Sequence, residues 1–148
     1  MVYFVRRADI ADAKTAAALA LRLWPAHTAE ELETEMTETL YSGAGAVFLA
    51  EDGGGAAVGF AECSLRHDYV EGTTSSPTGY LEGIYILPEH RRTGVAGSLT
   101  AACEAWARSQ GCIEMASDCE LSNTDSLRFH LGVGYREANR LICFVKPL

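Results

Sequence analysis

Residues 83–102, GIYILPEHRRTGVAGSLTAA, constrain the fold more than any other stretch. An apolar run of buried-strand type stops at Pro88. A charged turn with Arg91, Arg92 and Gly94 follows, and an apolar helix opens with Gly97 in its first turn. Glycine lets backbone amides approach an anion, a helix N-terminus leaves its first amides unpaired, and the helix dipole favours negative charge there. A phosphate or pyrophosphate suits such a turn. The spacing is not GxGxxG and no GK[ST] follows, so neither a dinucleotide fingerprint nor a Walker loop is present. Taken alone, the turn also fits a plain strand-to-helix connection with solvated arginines.

The flanking pattern predicts an α/β chain. Residues 2–7 read as a strand, and Asp9 caps a helix rich in Ala13, Ala16, Ala17, Ala20 and Leu21 that ends at Trp24-Pro25. Thr28 and Glu31 stand at capping-box spacing before a second helix to about Tyr41, with Leu32, Met36, Thr39 and Leu40 inward. Strands at 46–51 and 57–66 flank the turn DGGG, and residues 67–79 form a polar loop long enough to suggest a functional role. A strand over 80–87 leads through the glycine turn into a helix over 95–109, with Val95, Leu99, Ala102, Cys103 and Trp106 inward. A short strand at 113–116, a helix from Asn123 to about Leu131, and a closing hairpin using Tyr135 and 141–145 complete the order β-α-α-β-β-β-α-β-α-β-β. Residues 1–148 are expected to form a single domain, since that length supports one core but not two comfortable ones.

Composition narrows the function. Twenty acidic and twelve basic residues give a net charge of −8, which argues against a nucleic-acid partner and is compatible with a cationic substrate. No apolar run approaches the roughly 20 residues of a membrane helix. Arg6 and Arg7 follow the apolar start rather than preceding it, unlike a signal peptide, so no membrane association and a cytoplasmic location are expected. Five scattered cysteines and four dispersed histidines suggest neither a disulfide framework nor a metal site, and most of the cysteines read as small buried hydrophobes.

Arg91-x-x-Gly94-x-Ala96 resembles the [Q/R]-x-x-G-x-[G/A] signature of the GCN5-related N-acetyltransferases. The stretch NTDSLRFHLGVGY, residues 123–135, resembles that family's later motif. The segments LRLWPAH at 21–27, GFAECSLRHDYVEGTTSSP at 59–77, LEGIYILPEHRRTGVA at 81–96 and EMASDCELSN at 114–123 resemble most closely the bacterial aminoglycoside 6'-N-acetyltransferases. The resemblance implies a GCN5-related N-acetyltransferase fold, with a central mixed, mostly antiparallel sheet flanked by about four helices. It also implies acetyl-CoA as donor, no metal, and a homodimer. The pyrophosphate would rest on Arg91, Arg92, Gly94, Val95, Ala96, Gly97 and Ser98, and the pantetheine arm on backbone at Ile84 and Ile86. The Ile86 amide would polarise the thioester carbonyl. Asn123 would orient cofactor or backbone.

An ammonium must lose a proton before it attacks a thioester, and a carboxylate can accept that proton directly or through water. Glu82 lies in the strand beside the expected thioester. On pattern alone it is equally an outward-facing strand residue; the resemblance makes it the amine-positioning group and proton acceptor. Asp118, at the open end of the next strand, either caps a turn or holds a polyamine by charge-assisted hydrogen bonds; the resemblance implies substrate contact, with a share in proton removal as a catalytic role. Trp24, Asp68 and Tyr69 are secondary substrate candidates, Trp24 being equally a core residue. His130 stands where the family usually has a tyrosine; it either protonates the leaving thiolate or only hydrogen-bonds coenzyme A. No Cys-His-Asp set is readable, so direct transfer in a ternary complex is expected. The acceptor implied is the 6'-amine of an aminoglycoside. Another small amine, a polyamine, a peptide N-terminus, or a non-catalytic acyl-CoA-binding role remain alternatives.

Overall fold

The computed structural model describes residues 2–148. The elements run β1 (Phe4–Arg7), α1 (Ala13–Leu23), α2 (Ala29–Ser42), β2 (Gly45–Glu51), β3 (Ala57–Arg66), β4 (Thr78–Ile86), α3 (Val95–Ser109), β5 (Met115–Ser117) and α4 (Thr124–Gly132). Local chemistry sets several boundaries. Asp9 caps a short 3₁₀ turn that feeds α1, while Thr28 and Glu31 form a reciprocal capping box on α2. Gly43 ends α2 in the left-handed conformation that glycine adopts without strain.

The five strands lie in the order β1-β2-β3-β4-β5. The first three pairings are antiparallel and β4–β5 is parallel. Side-chain alternation sorts the sheet into two faces. Ala61 and Cys63 of β3 join Leu99, Cys103 and Trp106 of α3 in one core cluster, while Val47, Leu49 and Phe60 meet α1 and α2 in the other. No helix among the described residues is long and apolar enough to cross a membrane.

One irregularity organises the centre of the sheet. Glu62 pairs with Gly83, but Cys63 pairs with Leu81, so Glu82 and Gly83 together oppose one residue of β3. This is a β-bulge, and it reverses the strand's alternation. Leu81 before it, and Ile84 and Ile86 after it, all face the α3 cluster. Glu82 and Gly83 consequently both face α1 and α2. Gly83 is required there, because an added Cβ would lie 2.5 Å from the Trp24 ring.

Two expectations need correction. The short fifth strand lies at Met115–Ser117 rather than 113–116. The closing hairpin is absent: residues 136–148 form no strand, and Leu141, Ile142, Phe144 and Val145 are exposed. A β-strand needs a partner edge to satisfy its backbone, and among the described residues the segment has none. It touches the β3–β4 loop instead, where Asn139 Nδ2 donates to Glu71 Oε1 at 2.8 Å.

Candidate active site

The parallel pairing of β4 with β5 ends at Leu81–Ser117. Beyond it, the outer edge of β4 has no strand partner among the described residues. The Leu87 amide donates to the Val58 carbonyl on the β3 side at 2.9 Å, so by alternation the amides of Ile86 and Ile84 point away from β3. The two residues expected to pair with a pantetheine arm therefore present free backbone amides along this edge.

The edge runs into the glycine turn. Arg92 and Gly94 both adopt left-handed backbone, φ 62° and 86°, which curls successive amides into the concavity that receives anions. Val95, Ala96 and Gly97 occupy the first turn of α3, where amides have no intrahelical acceptor; the Ser98 amide closes the first bond, to Gly94 at 3.2 Å. A Cβ at Gly94 or Gly97 would meet nothing within 4 Å, so the space beside these amides is open. The turn fits a pyrophosphate. The Arg91 side chain instead ties the turn to β4, its Nε donating to the Ile86 carbonyl at 2.8 Å and its guanidinium lying 5.2 Å from the Tyr85 ring. The Ser98 hydroxyl reaches the Gly94 carbonyl at 3.4 Å.

On the α1–α2 side of the bulge, a cleft of about 390 Å³ is lined by Trp24, His27, Glu35, Thr39, Glu62, Ser64 and Glu82. Trp24 forms its wall, edge-on to Phe60 and against Gly83. Glu82 is ion-paired with Arg66 at 2.5 Å and accepts from the Ser64 hydroxyl at 3.1 Å. Arg66 also lies over the Tyr80 ring at 3.5 Å, and the Tyr80 hydroxyl donates to Asp118. Burial, then that bond to Asp118, hold the phenol above its usual range. Glu82 and Asp118 are thus the two ends of one chain of contacts through Arg66 and Tyr80. Glu62 is mostly buried beside them; burial and then the Glu82 charge push its carboxyl up to about 7.

Asp68 and Tyr69 do not line this cleft, and both are exposed in the β3–β4 loop. The far end of that loop is anchored: the Thr74 amide and the Ser75 hydroxyl donate to Glu114. Asn123 spends its side-chain oxygen capping α4, accepting from the Ser126 amide at 3.1 Å. His130 sits beside the end of β5, with Nε2 2.8 Å from the Ser117 hydroxyl and Nδ1 2.7 Å from the Ser126 carbonyl. Cys63, Cys103 and Cys112 are buried, and Cys119 and Cys143 exposed. A hydrogen bond to Cys63 and then burial raise the Cys103 thiol; burial alone raises Cys112. Neither is poised as a thiolate nucleophile.

Sequence reading missed Glu62, Ser64, Arg66 and Tyr80. A signal existed: Glu62, Ser64 and Arg66 alternate with Ala61, Cys63 and Leu65, so one face of an interior strand is polar.

The model of the acetyltransferase (GNAT) family matches residues 16–135. This chain belongs to the GNAT acetyltransferase family. Within it, the chain is 45% identical to an aminoglycoside N(6')-acetyltransferase type 1 of Stenotrophomonas maltophilia, over 97% of this chain and 93% of the relative. It is 46% identical to the enzyme of that name from Serratia marcescens, over 88% and 90%. Among GNAT structures, AAC(6')-Iy in complex with a bisubstrate analog, CoA-S-monomethyl-acetylneamine, superposes with a TM-score of 0.94 at 38% identity, covering all of both chains. AAC(6')-Ih from Acinetobacter baumannii gives 0.89 at 34% identity, covering 99% of each. The α/β GNAT fold expected from the sequence is borne out.

Proposed function

We propose that this chain transfers an acetyl group from acetyl-CoA to the 6'-amino group of aminoglycosides, by direct attack of the amine in a ternary complex. The observation that carries the reading is the continuity of β4. One strand joins a carboxylate-lined cleft at Glu82, a free backbone edge at Ile84 and Ile86, and the anion-binding turn at the start of α3. At about 3.3 Å per residue, Glu82 and Ile86 lie roughly 13 Å apart along the strand, and the turn follows beyond Ile86, an order that suits one extended thioester-bearing ligand. The names of relatives that match across nearly the whole chain support the same donor and acceptor.

In this reading Val95, Ala96 and Gly97, with Arg92, Gly94 and Ser98, hold the pyrophosphate. The Ile84 and Ile86 backbone aligns the pantetheine arm. The Ile86 amide stabilises the charge that develops on the thioester oxygen. Glu82 positions the amine and takes its proton, directly or through water, as the nitrogen bonds to the acetyl carbon and the carbon–sulfur bond breaks. Asp118 holds a further ammonium, Trp24 supplies an apolar wall for a sugar ring, and Asp68 and Tyr69 contact substrate when the loop lies over it. His130 protonates the departing thiolate; its bond to Ser117 supports this by keeping the imidazole beside the fork between β4 and β5. The buried cysteines favour direct transfer over a covalent acyl-enzyme.

The chain works in this proposal as a single domain, 1–148, in the cytoplasm and as a homodimer. The apolar segment over 141–145, with Phe144 90% and Val145 96% exposed, supports pairing with a second copy. The function is tested by assaying coenzyme A release with a panel of amines. Turnover of 6'-amino aminoglycosides, and much weaker turnover of polyamines and peptides, is expected. Turnover confined to a polyamine or peptide would overturn the assignment of acceptor.

A further inference from the structure

We infer that Glu62 is a second acceptor-binding carboxylate, taking an ammonium group of the polycationic substrate beside Glu82. The inference rests on the reading of the cleft as the acceptor site. Both oxygens of Glu82 already have partners within the protein, in Arg66 and in the Ser64 hydroxyl. Arg66 offsets part of its negative charge, while Oε1, bonded to Arg66 alone among the described residues, keeps a lone pair for the reacting amine. Glu62, across the ladder at the bulge, has among the described residues only the Thr39 hydroxyl, at 3.4 Å, and no cation.

The surroundings offer Glu62 no counter-charge. From α2 come Glu35 and Thr39, from β4 Glu82, and from β3 Ser64 and Arg66, the last committed to Glu82. His27, from the α1–α2 connection, is paired with Glu31 at 3.4 Å. A mostly buried carboxylate without a cation is costly, and a proton or an incoming ammonium can relieve it. Burial and the Glu82 charge push its titration up to about 7, so near neutrality a substantial fraction of Glu62 carries a proton. An ammonium that binds there displaces that proton. Acceptor binding is therefore coupled to proton release, and compounds lacking the matching amine lose affinity.

The test is calorimetric titration of an aminoglycoside into the coenzyme A-loaded protein near neutral pH, in buffers of different ionisation enthalpy. The difference between variant and wild type isolates the contribution of Glu62 from that of the ligand's own amines. Glu62→Gln should reduce proton release and weaken acceptor binding roughly tenfold or more, the worth of a charged hydrogen bond, with coenzyme A affinity unchanged. Thr39→Val removes the one hydrogen bond that favours the ionised form, so slightly above neutrality it should increase proton release. Unchanged proton release in both variants would overturn the inference while leaving the acceptor site intact. A wild-type protein that binds coenzyme A but no aminoglycoside would overturn the acceptor reading and this inference together.

Discussion

Gly83 is the residue through which the bulge shapes the acceptor cleft. In Gly83→Ala the new Cβ would stand 2.5 Å from Trp24 Cζ2, 2.6 Å from Cη2 and 3.0 Å from Leu23 Cδ2. Carbon atoms prefer about 3.5–4.0 Å, so the indole must retreat by about 1 Å. Trp24 cannot move freely, because it packs edge-on against Phe60, which is fully buried. Such overpacking costs about 1–3 kcal/mol, and for a chain of this length each kcal/mol lowers Tm by roughly 2–4 °C. Because Trp24 also lines the cleft with Glu62 and Glu82, the acceptor KM should rise several-fold. The acetyl-CoA KM should hold, since the α3 turn is untouched. Thermal melts and initial rates on Gly83→Ala, Trp24→Phe and the double variant check this. The double variant should lose less stability than the sum of the singles, because Phe lacks the ring atoms that clash. A Gly83→Ala protein with wild-type Tm and wild-type acceptor KM would refute the argument.

Two further outcomes follow from the same geometry. The Glu62 carboxyl titrates at about 7 in the fold against 4.5 without perturbation, so the folded state binds its proton more tightly. The associated stability is fully present below pH about 4.5 and is lost as pH rises through about 7, on the order of 3 kcal/mol in all. Glu62→Gln should flatten the fall in Tm between pH about 5 and 8; an unchanged pH profile would contradict the assignment. The exposed tail carries the second: Phe144→Asp with Val145→Asp should convert the proposed dimer to a monomer in sedimentation velocity while keeping coenzyme A binding. A double variant that still sediments as a dimer would remove the tail from the interface.

Much of the architecture was legible where local chemistry decides it. The Thr28–Glu31 box, the Pro88 stop and the glycine turn each have a short-range cause, and each appears where the sequence places it. The bulge was harder to see, because Leu81, Ile84 and Ile86 only disclose a reversal once their common face is known. Arg66 and Tyr80 are hard to read from sequence for a related reason. Their contacts with Glu82 and Asp118 depend on strand register, which no residue type announces. The segment 141–145 has the composition of a strand, but composition does not say which chain supplies the edge. For Asn123 the resemblance leaves cofactor and backbone both open, and its side-chain oxygen takes a backbone amide at the start of α4.

The core of the proposal is acetyl transfer beside the bulge of β4, with Glu82 taking the proton of the reacting amine and Asp118 holding a further ammonium. Its most direct measurement is kcat/KM for a 6'-amino aminoglycoside in the double variant Glu82→Gln, Asp118→Asn, alongside coenzyme A affinity. The expected result is a loss of roughly 100-fold or more in kcat/KM, in the range seen when a proton acceptor is removed, with coenzyme A bound as in wild type. Full acetyl transfer by that variant would contradict the claim.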